Sequence, residues 1–186
     1  MMPSNSNLDF SESVQIIVSA LGISYAFSYV WPDQPFLSIL LTVGAAFVLH
    51  ELGHRYVATR YGAHARYQMW TIGLVAAIVL AVALGFVFAA PGAVYIYGKE
   101  LTRSQSGKVA LAGPGVNILL CLLFLLLAGT VYGAGSLLLV GARVNAFLAA
   151  FNLLPMEPFD GAKVMRWNKP VWAAAFALSA ALVILV

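Results

Sequence analysis

The stretch LHELGHRYVATRYG, residues 49–62, places two histidines and a glutamate within an otherwise apolar part of the chain. His50 and His54 are four residues apart, so on a helix both side chains project from one face and can bind one metal ion. Glu51 lies beside the first histidine and can take a proton from a water molecule at that ion. This HExxH spacing predicts two zinc ligands and a general base for hydrolytic attack on a carbonyl group.

A catalytic zinc ion usually takes three protein ligands, so a third residue is needed. Asp160, in the segment NLLPMEPFDGAKV, follows an apolar helix that Pro155 and Pro158 interrupt. Gly161 allows a tight turn there, so the carboxylate can point inward. His64 is the competing ligand, but it lies in a short basic loop where we expect a surface position. The sequence therefore predicts one zinc ion per chain, with Asp160 as the preferred third ligand.

Three asparagines lie in or beside apolar segments and are candidates for supporting roles. Asn145 and Asn152 are seven residues apart and share one helical stripe, and Asn117 follows the sequence AGPGV. Buried amides can orient a ligand or hydrogen-bond a developing oxyanion, and they can also simply join helices in a membrane. Asn152 is nearest to Asp160 in the sequence, so we expect it to belong to the site.

Composition places these residues in a membrane protein. Of the 186 residues, 62% are hydrophobic and 9% are charged. A soluble domain has too little interior for that much apolar surface, whereas about 20 apolar residues form a helix that crosses a bilayer. The sequence predicts an all-α polytopic membrane protein with a single transmembrane domain over 1–186. Its six expected apolar segments lie near 13–31, 36–61, 72–90, 108–131, 136–154 and 170–186.

Charge and cysteine content argue against a nucleic-acid-binding protein and against a fold held by intrachain disulfides. The net charge of +3 comes from Lys and Arg in loops, which indicates membrane orientation rather than a nucleic-acid partner. The single cysteine, Cys121, lies in an apolar run and cannot form an intrachain disulfide. We expect it to pack between helices.

Two basic loops, 62–71 and 98–108, decide the predicted topology. If every segment crosses fully, these loops lie on opposite sides and the positive charges have no preferred side. A re-entrant element at 72–98, with a helix entering and PGAVYIYG returning extended, places both loops on one side. The positive-inside rule then makes that side the cytoplasmic face of the cell membrane. Extended chain at membrane depth requires protein or a water-filled cavity beside it, so a polar cavity is also expected.

The motifs HELGH, AGPGVN and NLLPMEPFDG occur in this order, and together they resemble the site-2 protease family of intramembrane zinc metalloproteases. The resemblance covers roughly residues 36–165. It implies substrates that are transmembrane segments of other membrane proteins, cleaved near the cytoplasmic face of the lipid bilayer. It also implies a set of functional residues: the zinc ligands His50, His54 and Asp160, the catalytic base Glu51, and Asn152 at the active site.

The segment PGAVYIYG resembles the strand with which members of this family are thought to bind an unwound substrate by adding a β-strand. The expected substrate contacts are Val94, Tyr95, Ile96 and, in the glycine-proline-asparagine motif, Asn117. Two features depart from the family pattern. The apolar stretch 72–90 is not part of the minimal core, and Ala162 stands where a second glycine usually follows the aspartate. Neither departure removes a ligand.

Two other functions remain open at this point, a metal-ion transporter or channel and a proteolytically inactive metal-binding scaffold. Histidine and aspartate within a membrane also suit metal permeation, where binding must be weak enough for release. Permeation, however, does not need Glu51 beside two ligands on one helical face. An inactive scaffold would not need all four catalytic residue types together.

Overall fold

The computed structural model describes residues 9–88, 90–130 and 135–186. Most of these residues are helical, and two short strands form one sheet. The elements follow in chain order: α1 (Phe10–Val30), α2 (Phe36–Ile39), a π-helical turn (Leu40–Gly44), α3 (Ala45–Arg60), β1 (His64–Met69), α4 (Thr71–Leu84), β2 (Gly92–Tyr97), α5 (Arg103–Ala128), α6 (Gly135–Asn152), α7 (Asp160–Trp167) and α8 (Lys169–Leu185).

Local capping signals fix where several helices begin. The Asp9 side chain accepts a hydrogen bond from the backbone of Glu12 at the start of α1. Thr102 and Gln105 form a reciprocal capping box at the start of α5. These caps satisfy backbone N–H groups that the first helical turn leaves without partners.

Three of the helices that the structure describes are long and apolar enough to cross a membrane. They span Phe10–Val30, Phe36–Arg60 and Arg103–Ala128, the second being continuous from α2 through the π-helical turn to α3. The apolar helices Thr71–Leu84, Leu137–Asn152 and Lys169–Leu185 are shorter. At about 1.5 Å per residue, the 14 residues of α4 reach about 21 Å, less than a core of about 30 Å. Six full-length spans are therefore not confirmed.

The stretch predicted as one helix at 72–90 ends early. Helix α4 stops at Leu84 because Gly85 adopts a left-handed conformation, with φ of 63°, and its N–H caps the Ala81 carbonyl. Glycine is favoured in this conformation because it has no Cβ to clash. The apolar residues after Gly85 concealed this end in the sequence.

The all-α prediction is corrected by a two-stranded antiparallel sheet. The extended return of the chain was predicted and forms β2, but its partner β1 lies where a basic loop was expected. His64 pairs with Tyr97, and Met69 pairs with Gly92. The Trp70 N–H also donates to the Pro91 carbonyl at 2.8 Å. The chain therefore enters and leaves the 71–91 excursion at neighbouring points, as the predicted re-entrant element requires.

Helix α5 is central to the packing. It lies against α3, α6 and α7, so it contacts the helix that carries HELGH and the helix that begins at Asp160. Cys121 is wholly buried between α5 and α6, as expected. On the outer side of α5, Leu119 and Leu126 remain 68% and 69% exposed. This distribution suits a helix with protein on one side and lipid on the other.

A buried ion pair joins α1, α3 and β1. The Arg55 guanidinium donates to Glu12 Oε1, and the two side chains are 11% and 4% exposed. The same oxygen accepts the backbone N–H of Tyr67 at 2.8 Å. Because Arg55 follows directly after His54, this pair fixes the sheet relative to the HELGH helix.

We expect Arg55→Met to destabilise the protein by about 3 kcal/mol or more, because it leaves the Glu12 carboxylate buried without its cation. Unfolding in detergent should be followed by heat or denaturant. The matched control is Arg166→Met, which breaks a pair with Glu157 whose side chains are 57% and 59% exposed. That change should cost about 1 kcal/mol or less. Equal losses in the two variants would contradict the structural role of the buried pair.

We also expect His64→Cys and Glu100→Cys to react with a membrane-impermeant thiol reagent from one and the same side of sealed vesicles. Both positions are exposed, and the sheet holds residues 64 and 97 together. Asp33→Cys, at the exposed turn between α1 and α2, should react from the other side. A Cys121→Ala background removes the native thiol. Labelling of His64→Cys and Glu100→Cys from opposite sides would exclude the re-entrant arrangement.

Candidate metal centre and cavity

Helix α3 carries His50, Glu51 and His54 inside the protein. Their exposed fractions are 4%, 7% and 7%. The two histidines lie one helical turn apart, and their Nε2 atoms approach to 3.0 Å. The helix therefore presents two imidazole nitrogens to one point, as the sequence spacing predicts.

Asp160, the first residue of α7, lies at the same point. Its Oδ2 atom is 3.4 Å from His50 Nε2 and 3.0 Å from His54 Nε2. The Asp160 side chain is 14% exposed, so its carboxylate is largely buried beside the two imidazoles. In the part of the chain that the structure describes, these three residues form the group able to hold a metal ion.

The outer nitrogens of both imidazoles have hydrogen-bond acceptors. His50 Nδ1 lies 2.6 Å from Asn117 Oδ1, and His54 Nδ1 lies 2.8 Å from the Val109 carbonyl. The Asn117 amide nitrogen donates to the Ala46 carbonyl, so its oxygen must face His50 as an acceptor. Each Nδ1 atom therefore carries the proton. Each Nε2 atom is left with the lone pair that a zinc ligand needs.

The donor set and its spacing fit zinc. Two imidazole nitrogens and one carboxylate oxygen form a ligand set found at catalytic zinc sites. Ligand atoms about 2.0–2.2 Å from zinc at tetrahedral angles lie about 3.3–3.6 Å from one another. The 3.0, 3.0 and 3.4 Å separations measured here come close to that spacing.

Helix α5 leaves room for the ligands through Gly113. A Cβ atom at this residue would lie 2.4 Å from His54 Nε2 and 2.6 Å from His50 Nε2. These distances are shorter than any normal contact, so even a methyl group would compete with the ligand nitrogens for space. The glycine therefore permits the close approach of α5 to the metal centre.

Glu51 is placed beside this centre without acting as one of its three ligands. Its Oε2 atom is buried and has no hydrogen-bond partner among the residues that the structure describes. A buried carboxylate oxygen without a hydrogen-bond partner is energetically costly, so it usually has a functional role or binds water. A role as proton acceptor beside the metal centre would account for it.

A cavity of about 560 Å³ opens at the metal centre. Glu51 and Asn152 contribute to its wall, as do all three expected substrate contacts on β2, Val94, Tyr95 and Ile96. The expected contact Asn117 is different, since it is wholly buried behind His50. Its side-chain amide is hydrogen-bonded to His50, the Ala46 carbonyl and Asn145.

The structure thus brings together most of the predicted site residues and separates others. His64 lies exposed on β1, paired with Tyr97, and not with the metal centre. Sequence reasoning missed the Val109 carbonyl and Gly113. The glycine lies in the AGPGVN motif, but only the packing of α5 against α3 shows what it does.

Comparisons with known proteins give the class of this chain. Over 167 residues it is 43% identical to a protein of Methanocaldococcus jannaschii named "Putative zinc metalloprotease MJ0611", with 87% of each chain covered. It is 34% identical over 134 residues to "Putative zinc metalloprotease Rip2" of Mycolicibacterium smegmatis, covering 61% of this chain and 50% of that one. It is 29% identical over 152 residues to "Putative zinc metalloprotease YwhC" of Bacillus subtilis, covering 72% and 68%. No family model and no solved structure matches.

Fold and site therefore define a membrane-associated zinc metalloprotease, whose cofactor is the zinc ion that the three-residue cluster suits. Because the similarity to the archaeal protein extends over most of both chains, this chain belongs to the zinc metalloproteases of the site-2 protease type.

We expect Gly113→Ala to lower the zinc content several-fold, because its methyl group would occupy the space of the ligand nitrogens. Gly115→Ala is the matched control, since a Cβ there meets nothing within 4 Å. It should keep about one zinc per chain. Metal analysis of the purified, monodisperse proteins gives the measurement, and Asp160→Ala should also lose zinc. Zinc retained in Asp160→Ala but lost in His64→Ala would show that His64 is the third ligand.

Proposed function

We propose that this protein is an intramembrane zinc endopeptidase that hydrolyses peptide bonds within or near transmembrane segments of other membrane proteins. The observation that carries the proposal is the position of the Glu51 carboxylate. It lies beside three convergent ligands, in a cavity whose wall includes a β-strand edge. A proton acceptor, a metal centre and a peptide-binding edge are the parts that peptide hydrolysis requires.

The residues of the chain divide the chemistry between them. His50, His54 and Asp160 would hold a zinc ion, which when bound polarises water and the scissile carbonyl. Glu51 accepts a proton from the attacking water and passes it to the amine nitrogen that leaves, so the carboxylate is restored after each cycle. Asn152 lines the same cavity, and its amide nitrogen donates to the Leu148 carbonyl at 3.0 Å. Its side-chain amide would hydrogen-bond the substrate.

The edge of β2 is oriented for binding extended chain. In an antiparallel pair, opposite residues alternate between hydrogen-bonding each other and pointing away from each other. The N–H groups of Tyr67 and Met69 donate to Glu12 and Gln15 of α1, so these residues point away from β2. Their partners Val94 and Gly92 therefore point their backbone groups toward the cavity.

A substrate helix would have to unwind before it could use this edge, because a helix satisfies its own backbone groups internally. The N–H and C=O groups of β2 that point away from β1 would then replace the helical hydrogen bonds that the substrate loses. Side chains that alternate along the added strand would face the metal centre and the opposite wall in turn. The proposed partners are thus transmembrane protein substrates within the lipid bilayer.

The basic loops support an orientation for the site. The Lys99 ammonium donates to the carbonyl of Tyr61, directly after the last residue of α3, and His64 pairs with Tyr97. The positive charges of Arg60 and Lys99 therefore lie at the end of the molecule where α3 terminates. The positive-inside rule assigns this end to the cytoplasmic side of the cell membrane in a multi-pass arrangement. Cleavage would then occur near that face.

We expect Glu51→Gln to retain zinc and normal folding but to lose at least about 100-fold in cleavage of a membrane-embedded substrate, because the amide cannot accept the proton of the attacking water. The matched control is Glu157→Gln, the same change at an exposed carboxylate of the same cavity. It should alter the rate by no more than a few-fold. The measurement is kcat/KM in detergent or proteoliposomes, with zinc content determined in parallel.

Undiminished cleavage by Glu51→Gln would exclude the proposed mechanism. A metal transporter would show the opposite pattern, with no cleavage by the native protein and zinc flux that persists in Glu51→Gln. The same proteoliposomes can be used for both measurements.

A further inference from the structure

Of the lysines and arginines that the structure describes, Lys163 is the one that lines the cavity at the metal centre. It lies on α7, three residues after Asp160 and so about one helical turn from that ligand. Its side chain is exposed to the cavity. The ammonium group is close enough to Glu51 and His54 for its charge to act on both. A positive charge therefore faces the space that a substrate would occupy.

Lys163 has no direct partner for this charge within the described part of the chain. All ten lysines and arginines lie in that part. All except Lys163 and Lys169 have a hydrogen bond, an ion pair or a contact with an aromatic ring. Most of the cations are thus engaged with the protein itself, whereas the ammonium group of Lys163 is left for a ligand in the cavity.

The other charges in the cavity wall compensate one another. Glu157 also lines the cavity, but its carboxylate pairs with Arg166 at 2.6 Å. Glu51 and Asp160 carry two negative charges, which the two positive charges of a bound zinc ion would offset. Lys163 thus gives the zinc-loaded cavity an excess positive charge. Electrostatic complementarity then favours a substrate that brings a negative charge into this space.

Helix α7 leads from the metal centre toward the end of the molecule where α3 terminates, which we call the basic end. The helix begins at Asp160, and near its other end the Arg103 guanidinium donates to the Arg166 carbonyl. Arg103 is the first residue of α5 and follows four residues after Lys99. Lys163 therefore lies on the basic-end side of Asp160, about 4.5 Å along α7. Two residues of extended substrate, at about 3.3 Å each, cover that distance.

We propose that Lys163 determines substrate specificity by binding an aspartate or glutamate side chain of the substrate, within about three residues of the scissile bond and on its basic-end side. This inference rests on the proposed function and deepens it. A lysine ammonium is a compact charge on a flexible four-carbon stem, so it can reach a carboxylate at this range. The same charge disfavours a lysine or arginine at that position of the substrate. The cavity would therefore separate substrates by charge near the membrane boundary.

The test uses a single-pass substrate in vesicles of zwitterionic lipid, with the cleavage site located by mass spectrometry. Each position close to the scissile bond, on both sides, is changed in turn to Asp, Asn and Lys. Because Asp and Asn have nearly the same shape, their comparison isolates the charge. At one position on the basic-end side, the native protein should show a kcat/KM for Asp at least about fivefold above that for Asn, and Lys should be the poorest. The difference should lie in KM, because the ion pair forms in the ground state and the transition state alike.

Variants of Lys163 should change this order according to their charge. Lys163→Gln should remove the difference between the Asp and Asn substrates, and Lys163→Glu should reverse the order so that the Lys substrate is cleaved best. Misfolding cannot produce such a reversal. The matched control is Lys169→Glu, since Lys169 is also exposed and also lacks a partner among the described residues but does not line the cavity. It should leave the order and the ratios unchanged.

A second measurement does not depend on turnover. The Glu51→Gln protein should bind the Asp substrate at least several-fold more tightly than the Asn substrate in a fluorescence titration, and adding Lys163→Gln should make the two Kd values equal. Equal cleavage of the Asp and Asn substrates by the native protein would overturn the role of Lys163 and leave the proposed function standing.

Three other results would also overturn that role while the proposed function stands. They are an unchanged order in Lys163→Glu, the same reversal in Lys169→Glu, and an equal loss with the Asp and Asn substrates in Lys163→Gln. The last of these would show that Lys163 contacts lipid or protein instead of the substrate. No cleavage of any substrate in the panel would overturn the proposed function, and the role of Lys163 with it.

Discussion

The hydrogen bond between His50 Nδ1 and Asn117 Oδ1 sets the arrangement on which the metal centre depends. Asn117 is itself fixed, because its amide nitrogen donates to the Ala46 carbonyl and to Asn145 Oδ1. Asn145 in turn donates to the Gly141 carbonyl on its own helix. Polar groups buried in an apolar interior are tolerated when they are paired in this way. The chain of bonds ties α3, α5 and α6 together and holds one imidazole in the tautomer that zinc requires.

The parts of the site that the sequence predicted are those set by local geometry. His50, Glu51 and His54 share a helical face because four residues make about one turn. Asp160 could be chosen because prolines and a glycine in a short segment mark a turn where a helix must end. The return strand 92–97 followed from the charge of two loops, since only a re-entrant path placed both at one end. None of these inferences required knowledge of how distant helices pack.

The parts that the sequence did not reveal depend on contacts between elements far apart in the chain. Gly113 matters because α5 crosses α3 at the metal ligands, and no local pattern shows where two helices cross. Asn117 was assigned to the substrate because an amide in a membrane segment can face either a cavity or a helix. Strand β1, in contrast, has a local signal in the sequence, because Ala65, Tyr67 and Met69 alternate with polar residues. That period of two indicated a strand within a stretch interpreted as a loop.

The end of α4 at Leu84 affects where strand β2 lies relative to the metal centre. A helix that continued past Gly85 would become long enough to cross the membrane, and β2 would then begin on the far side from β1. The antiparallel pairing with His64–Met69 would be lost, and the edge of Val94 would no longer face Glu51. Every later segment would also be reversed, which would separate Asp160 from the histidines of α3. By ending α4 at Leu84, Gly85 leaves the following residues to return toward β1, so the same end of the excursion carries the edge of β2 and leads on to α5.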